Sequence, residues 1–242
     1  MEKDLNELVV KLRSAAGGNL KSVVLYGSAA TDDFHPGHSD LNVLCVLERL
    51  DADALAKLNP PATWWEKKGH PAPLMFTLEE LRRSADVFAI ELLDIKSSRR
   101  VLSGEDPFAT LEVPMTLHRV QLEHELRAKL VRLRQRYLAT AHDRKRLLGL
   151  MSASISTFLV LFRHALIVLG EQPPKAKRDV LSRLSSLLGF EPQPFLVLLD
   201  VREGQRKEKD VDVEKTFRGY FDAITRVVEE VDRRLVGGGS AA

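Results

Sequence analysis

The residues best suited to chemistry in this chain lie between Gly27 and Asn42. Leu25-Tyr26-Gly27-Ser28 is followed, after eleven residues, by Asp40-Leu41-Asn42. Glycine lets the backbone approach an anion closely, and a following hydroxyl together with the amides of a starting helix can donate hydrogen bonds to phosphate oxygens. Gly27 and Ser28 are therefore candidates to grip phosphate. Residues i and i+2 of a strand point to one face, so Asp40 and Asn42 project together below that turn. A carboxylate there can hold a divalent cation. An amide oxygen can ligate the same ion but carries no net charge and bridges two ions poorly, so Asn42 is the weaker ligand of the two.

These residues need two strands and a tight turn to hold them. Lys21–Tyr26 is short and β-rich and runs into the small residues Gly27-Ser28. After the polar turn His35-Pro36-Gly37-His38, the nearly continuous apolar run from Ser39 to Leu47 suits a central strand buried on both faces. Upstream, Leu5, Leu8, Val9 and Leu12 have helical spacing, with Gly17-Gly18 as the stop. Downstream, Asp51–Leu58 reads as a helix ended by Pro60-Pro61, and the stretch 64–76 carries no clear period. Thr77-Leu78-Glu79-Glu80 fits a helix N-cap followed by an acidic first turn. Val87–Ile95 then reads as another buried strand, in which Glu91 and Asp94 point to opposite faces. Charges in such a run need partners, and Lys96, Arg99 and Arg100 are the candidates for Asp94.

From about Pro114 the pattern changes to long helical periods: Met115–Ala139, Arg144–Leu169, Arg178–Leu188, Pro192–Arg202 and Val211–Leu235. This predicts an α+β domain over residues 1–113, a helical bundle over 114–236 and a disordered tail over 237–242. Charge divides in the same place. Residues 1–113 carry 13 Lys and Arg against 18 Asp and Glu, net −5, whereas the remainder carries 23 against 16, net +7. The basic residues Arg127, Lys129, Arg132, Arg134, Arg136, Arg144, Lys145 and Arg146 interleave with apolar positions at helical spacing and read as a solvated face. Few aromatic residues stand among them, which argues against nucleic acid as a partner.

Other residues have ordinary explanations. The single Cys45 excludes an internal disulfide framework and a cysteine zinc site, and it sits in an apolar run as a packing residue. Trp64-Trp65 reads as a cover for the sheet, His35 and His38 as parts of a turn, and Arg163 and His164 as polar residues at a helix end. The start of the chain is charged and no apolar run reaches the length of a membrane span, which reads as a cytoplasmic protein without a membrane partner. A homo-oligomer is compatible with all of this.

The frame Gly27-Ser28, eleven residues, Asp40-Leu41-Asn42 resembles the nucleotide-binding core of the DNA polymerase β-like nucleotidyltransferase superfamily, whose second strand carries Asp-x-Asp or Asp-x-Glu. The segment Val87–Asp106 is similar to uncharacterised bacterial nucleotidyltransferase-like proteins, and Phe158–Gly170 to the bundle that accompanies kanamycin-type nucleotidyltransferases. The resemblance implies a nucleoside triphosphate held by Gly27, Ser28 and Asn42, and Mg2+ held by Asp40, Asn42 and Glu91. It further implies Asp40 and Glu91 as catalytic residues, with a nucleoside monophosphate passed to a small-molecule or protein acceptor. Asn42 departs from the family pattern at the second carboxylate. The alternative that follows is a nucleotide-binding or protein-interaction module that keeps the fold without turnover.

Overall fold

The computed structural model describes residues 1–31 and 40–237. The chain divides into two compact units, Met1–Met115 and Thr116–Ala242. The first is built on a four-stranded sheet in the order β3-β2-β1-β4. Strand β1 (Leu20–Tyr26) pairs antiparallel with β2 (Asn42–Leu47) on one side and with β4 (Arg99–Gly104) on the other, while β2 pairs parallel with β3 (Leu74–Thr77). The unbroken apolar run of β2 is explained by its central place, since alternate residues are buried on opposite faces. Leu41, Val43, Cys45 and Leu47 join Val23 and Leu25 of β1 in one cluster, under helix α1 (Glu2–Ala16) and helix α2 (Ala52–Lys67). Leu44 and Val46 face the other cluster, with Leu81 of α3 (Leu78–Arg83), Leu92 and Ile95 of α4 (Ala89–Ser97), and Phe108. Burial pushes the Cys45 thiol up to about 12, so it packs as a small apolar group and not as a nucleophile.

Two sequence expectations are corrected here. Helix α2 does not stop at Pro60-Pro61 but continues to Lys67. Each proline removes an amide donor from the helix, and the buried stripe Leu58, Pro61 and Trp65, spaced by three and four residues, compensates by packing on the sheet. Trp65 lies in the core and Trp64 is partly buried against it, as expected of a cover. The segment Val87–Ile95 is not a strand, because most of it lies in α4. Ala89, Leu92 and Ile95 recur at intervals of three and form a single apolar helix face, which a short apolar run leaves indistinguishable from a strand. Glu91 and Asp94, three residues apart on a helix, therefore share a side and do not oppose one another. Of the cations expected around Asp94, Arg99 binds Asp106, Arg100 binds Glu2, and Lys96 donates to the carbonyl of Leu111. The Thr77 cap is formed as a capping box, with Thr77 Oγ1 accepting from the Glu80 amide and Glu80 Oε2 accepting from the Thr77 amide.

The second unit consists of α5 (His118–Leu138), α6 (Arg144–Val168), α7 (Lys177–Leu188), α8 (Gln193–Arg202) and α9 (Val213–Gly237). Leu122, Leu126, Leu130 and Leu133 form the buried stripe of α5. Tyr220 of α9 meets Phe158 of α6 and Phe195 of α8 in the core, and its hydroxyl pairs with Ser154 Oγ at 2.9 Å. By length and composition alone α6 is apolar enough to cross a membrane, with a mean hydropathy of 1.6 over 18 residues, contrary to the sequence expectation; half of that window is buried inside the protein. Several of the basic side chains are engaged locally: Arg127 with Glu123 and Asp232, Lys129 with Glu125, Arg134 over the ring of Phe221, and Arg144 on the carbonyls of Glu208 and Val211.

His164 packs near the end of α6 as expected, 1% exposed, where its Nδ1 meets Nε2 of His118, 2% exposed, at 2.8 Å. Burial, with the neighbouring His164, pulls the His118 imidazole down to about 4. Below the ordinary histidine value of 6.5 the unfolded chain takes up a proton that the folded chain refuses. Stability is therefore complete above pH 6.5 and falls as the pH drops towards 4, by about 3 kcal/mol for this group. Denaturant melts between pH 4 and 7 should show this slope, and His118→Leu should flatten it. An unchanged slope in the variant would assign the acid sensitivity elsewhere.

Candidate active site

The end of β1 and the beginning of β2 lie together at one end of the sheet, where Tyr26 is paired with Asn42. The chain leaves β1 through Gly27, at φ +76°, into a short 3-10 turn over Gly27–Ala30. That left-handed conformation is strained for any residue with a side chain, which is the local reason for glycine here. A Cβ placed on Gly27 would lie 3.4 Å from Asn42 Nδ2, so the Asn42 amide sits directly against the turn. The Gly27 amide is not presented to solvent: it donates to the carbonyl of Ser98 at 2.9 Å. The grip available to an anion is thus narrower than the sequence implies and falls to Ser28. The Ser28 carbonyl closes the turn by accepting from both the amide and the hydroxyl of Thr31.

Leu41 is buried with Val43 and Cys45, so alternation along β2 sends Asn42 to the opposite face, the one that α4 covers, with Asp40 two residues before it. Asp40 is exposed and Asn42 half-buried. On the same face, Tyr26 is flanked across the strands by Asn42 on one side and by Arg99 on the other. Burial raises the Tyr26 hydroxyl above its ordinary value. The structure therefore places Gly27, Ser28 and Asn42 together, with Asp40 two residues from Asn42. Glu91 lies in the first turn of α4, with its side chain exposed, where a carboxylate favours the positive end of the helix. Among the described residues no group of three or more His, Cys, Asp or Glu side chains has the spacing of a metal site. His35, His38 and Ser39 lie outside the described residues.

One residue at this site escaped the sequence reading. His70, in the loop after α2, packs its ring 4.4 Å from that of Trp65, and its Nδ1 accepts from the amide of Leu41 at 3.4 Å. Burial lowers the His70 imidazole, opposed by the Asp40 and Asp4 carboxylates. His70 so buttresses the backbone that carries Asp40. No spacing motif announces it, since the contact depends on α2 running on through its prolines.

As a donor set, Asp40 and Asn42 supply one formal negative charge and one neutral oxygen. That suits a single Mg2+ arriving with a triphosphate, whose own oxygens and waters complete the shell. It does not suit two bridged ions, for which paired carboxylates are the ordinary requirement.

Residues 5–96 match the sequence model of the family described as nucleotidyltransferase domain. No curated protein matches the chain in sequence. Among solved structures, the chain is similar in fold to the spectinomycin adenyltransferase AAD(9) from Enterococcus faecialis, solved with ATP and spectinomycin. The TM-score is 0.60 at 13% identity, over 93% of this chain and 99% of that one.

Proposed function

We propose that this chain, whose residues 5–96 match the family model described as nucleotidyltransferase domain, transfers a nucleoside monophosphate from a nucleoside triphosphate to a small-molecule or protein acceptor. The observation that carries the reading is the Gly27 turn set directly against Asn42, two residues after the exposed Asp40. The similarity of fold to an enzyme solved with ATP and a small-molecule antibiotic supports a small molecule as the acceptor. In this reading the chain works in the cytoplasm.

Ser28 holds phosphate through its hydroxyl and amide. Asp40, with Asn42 as a weak second ligand, would hold one Mg2+, which supplies charge neutralisation on the phosphates when bound. His70 fixes the backbone of Leu41 and so the place of Asp40. Glu91, exposed on α4, completes the metal site or acts as the base. Transfer of the α-phosphoryl group forms a bond to the acceptor oxygen, breaks the bond to the β-phosphate oxygen and releases pyrophosphate.

The test is pyrophosphate release from Mg2+-ATP or Mg2+-GTP with a pool of acceptors, beside calorimetric binding of the nucleotide. Asp40→Asn should cut turnover by about a hundredfold through lost attraction for the cation. Glu91→Gln should lower kcat with nucleotide affinity unchanged. A second reading, a binding module without turnover, is favoured by the one observation of a neutral Asn42. Binding without pyrophosphate release would select it, and absence of both would end the nucleotide reading.

A further inference from the structure

The Gly27 turn is held from outside its own segment. Its amide hydrogen bond goes to the carbonyl of Ser98, the residue that ends α4 and precedes β4. Ser98 is in turn enclosed by a knot of polar contacts. The Arg99 guanidinium grips Asp106 with three hydrogen bonds of 2.7 to 3.1 Å and also donates to the carbonyl of Lys96. Asp106 Oδ1 accepts from the amide of Phe108 at 3.0 Å, and the Arg99 guanidinium lies 5.7 Å from the centre of the Phe108 ring. Lys96 Nζ reaches the carbonyl of Leu111 at 2.6 Å. The junction of α4 and β4 is thereby fastened at Lys96 and Arg99 to the segment 106–111, and Ser98 lies between the two fastenings.

We infer that Arg99 and Asp106 are positioning residues for the phosphate-gripping turn, acting through the Ser98 carbonyl on the Gly27 amide. The pair is partly sheltered, with side chains 21% and 29% exposed, and it is bidentate, the geometry in which an arginine–carboxylate contact is most directional. Arg99 holds the Asp106 carboxyl below its ordinary range, chiefly through their hydrogen bonds. The same strand offers a built-in comparison. Arg100 pairs with Glu2 in an exposed contact that ties β4 to α1 and does not reach Ser98.

The catalytic consequence rests on the nucleotidyl-transfer reading above; the mechanical claim does not. Amide exchange at Gly27, followed by NMR in the full chain, reads the hydrogen bond to Ser98 whether or not nucleotide binds. Asp106→Asn keeps an acceptor for the Phe108 amide and removes the charge that Arg99 grips. It should speed Gly27 exchange by about tenfold, the loss of one charge-assisted contact. Arg99→Lys, which keeps the charge without the fork, should show a smaller effect, and Arg100→Gln should leave Gly27 unchanged. In the active protein Asp106→Asn should raise the KM for nucleotide by about tenfold while kcat moves little. Equal acceleration in Asp106→Asn and Arg100→Gln, or none in either, would overturn the inference. Accelerated exchange in a protein that binds no nucleotide would sustain the positioning role and refute the nucleotide reading instead.

Discussion

Replacing Asn42 by Asp should raise the affinity of this chain for Mg2+ in the presence of nucleotide by about a hundredfold. The substitution is nearly isosteric and falls at the first residue of β2, opposite Tyr26, so the strand has no reason to move. It adds a second carboxylate two residues from Asp40. At about 4 Å and an effective dielectric of about 20, a carboxylate attracts a divalent ion by on the order of 8 kcal/mol before desolvation. Retaining a third of that amounts to about two powers of ten in affinity, at about 1.4 kcal/mol for each.

The sign reverses without the ion. In chelator, two like charges two residues apart repel, so the variant should melt lower than the parent, and added Mg2+ should restore it by linkage. Calorimetric titration of Mg2+ and thermal melts with and without chelator read both effects. Unchanged metal affinity would mean that Asp40 and Asn42 are not a cation site. Pyrophosphate release measured on the same variant separates a transferase weakened at one ligand from a module that has lost its chemistry, because only the former gains turnover with the second carboxylate.

The β1-turn-β2 frame was readable because its signals are local: a β-rich run, a glycine that must take positive φ, and a central strand whose apolar run is unbroken. The elements misread are those whose conformation is decided from a distance. Ala89–Ser97 is helical because its apolar face packs on Leu44 and Phe108, and nothing inside nine residues declares that choice. The strand that borders β1 is the next segment, Arg99–Gly104, whose two arginines and serine conceal it. Arg99 belongs on the buried face only because Asp106 neutralises it and Phe108 covers its guanidinium. Glu91 shares in the misreading, standing in the first turn of α4 and not on a strand. His70 was invisible for the same reason as the course of α2, since both depend on Pro61 and Trp65 finding the sheet.

The largest stability effect should come from Gly104→Ala, at the opposite end of β4 from Arg99. Gly104 is opposite Ser22 in the β1–β4 ladder, with φ +79°, a conformation that costs an L residue about 1–2 kcal/mol. Space is the heavier constraint. A Cβ there would stand 1.9 Å from the carbonyl oxygen of Lys21 and 2.9 Å from its carbonyl carbon. Both are backbone atoms of the neighbouring strand, so no rotamer change relieves the contact and the end of β4 must lift from β1. With strain and lost ladder contacts together, the expected loss is about 3–5 kcal/mol, a large part of the about 5–15 kcal/mol that holds a typical domain. Gly149→Ala is the matched control: it is an exposed glycine inside α6 with nothing within 4 Å of an added Cβ, and it should stabilise by about 0.5–1 kcal/mol. Urea melts of the two variants should therefore move in opposite directions. If Gly104→Ala melted with the parent, the close approach of β4 to Lys21 would not be a feature of the folded chain, and the register that sets Arg99 beside Tyr26 would lose its anchor at the far end of the strand.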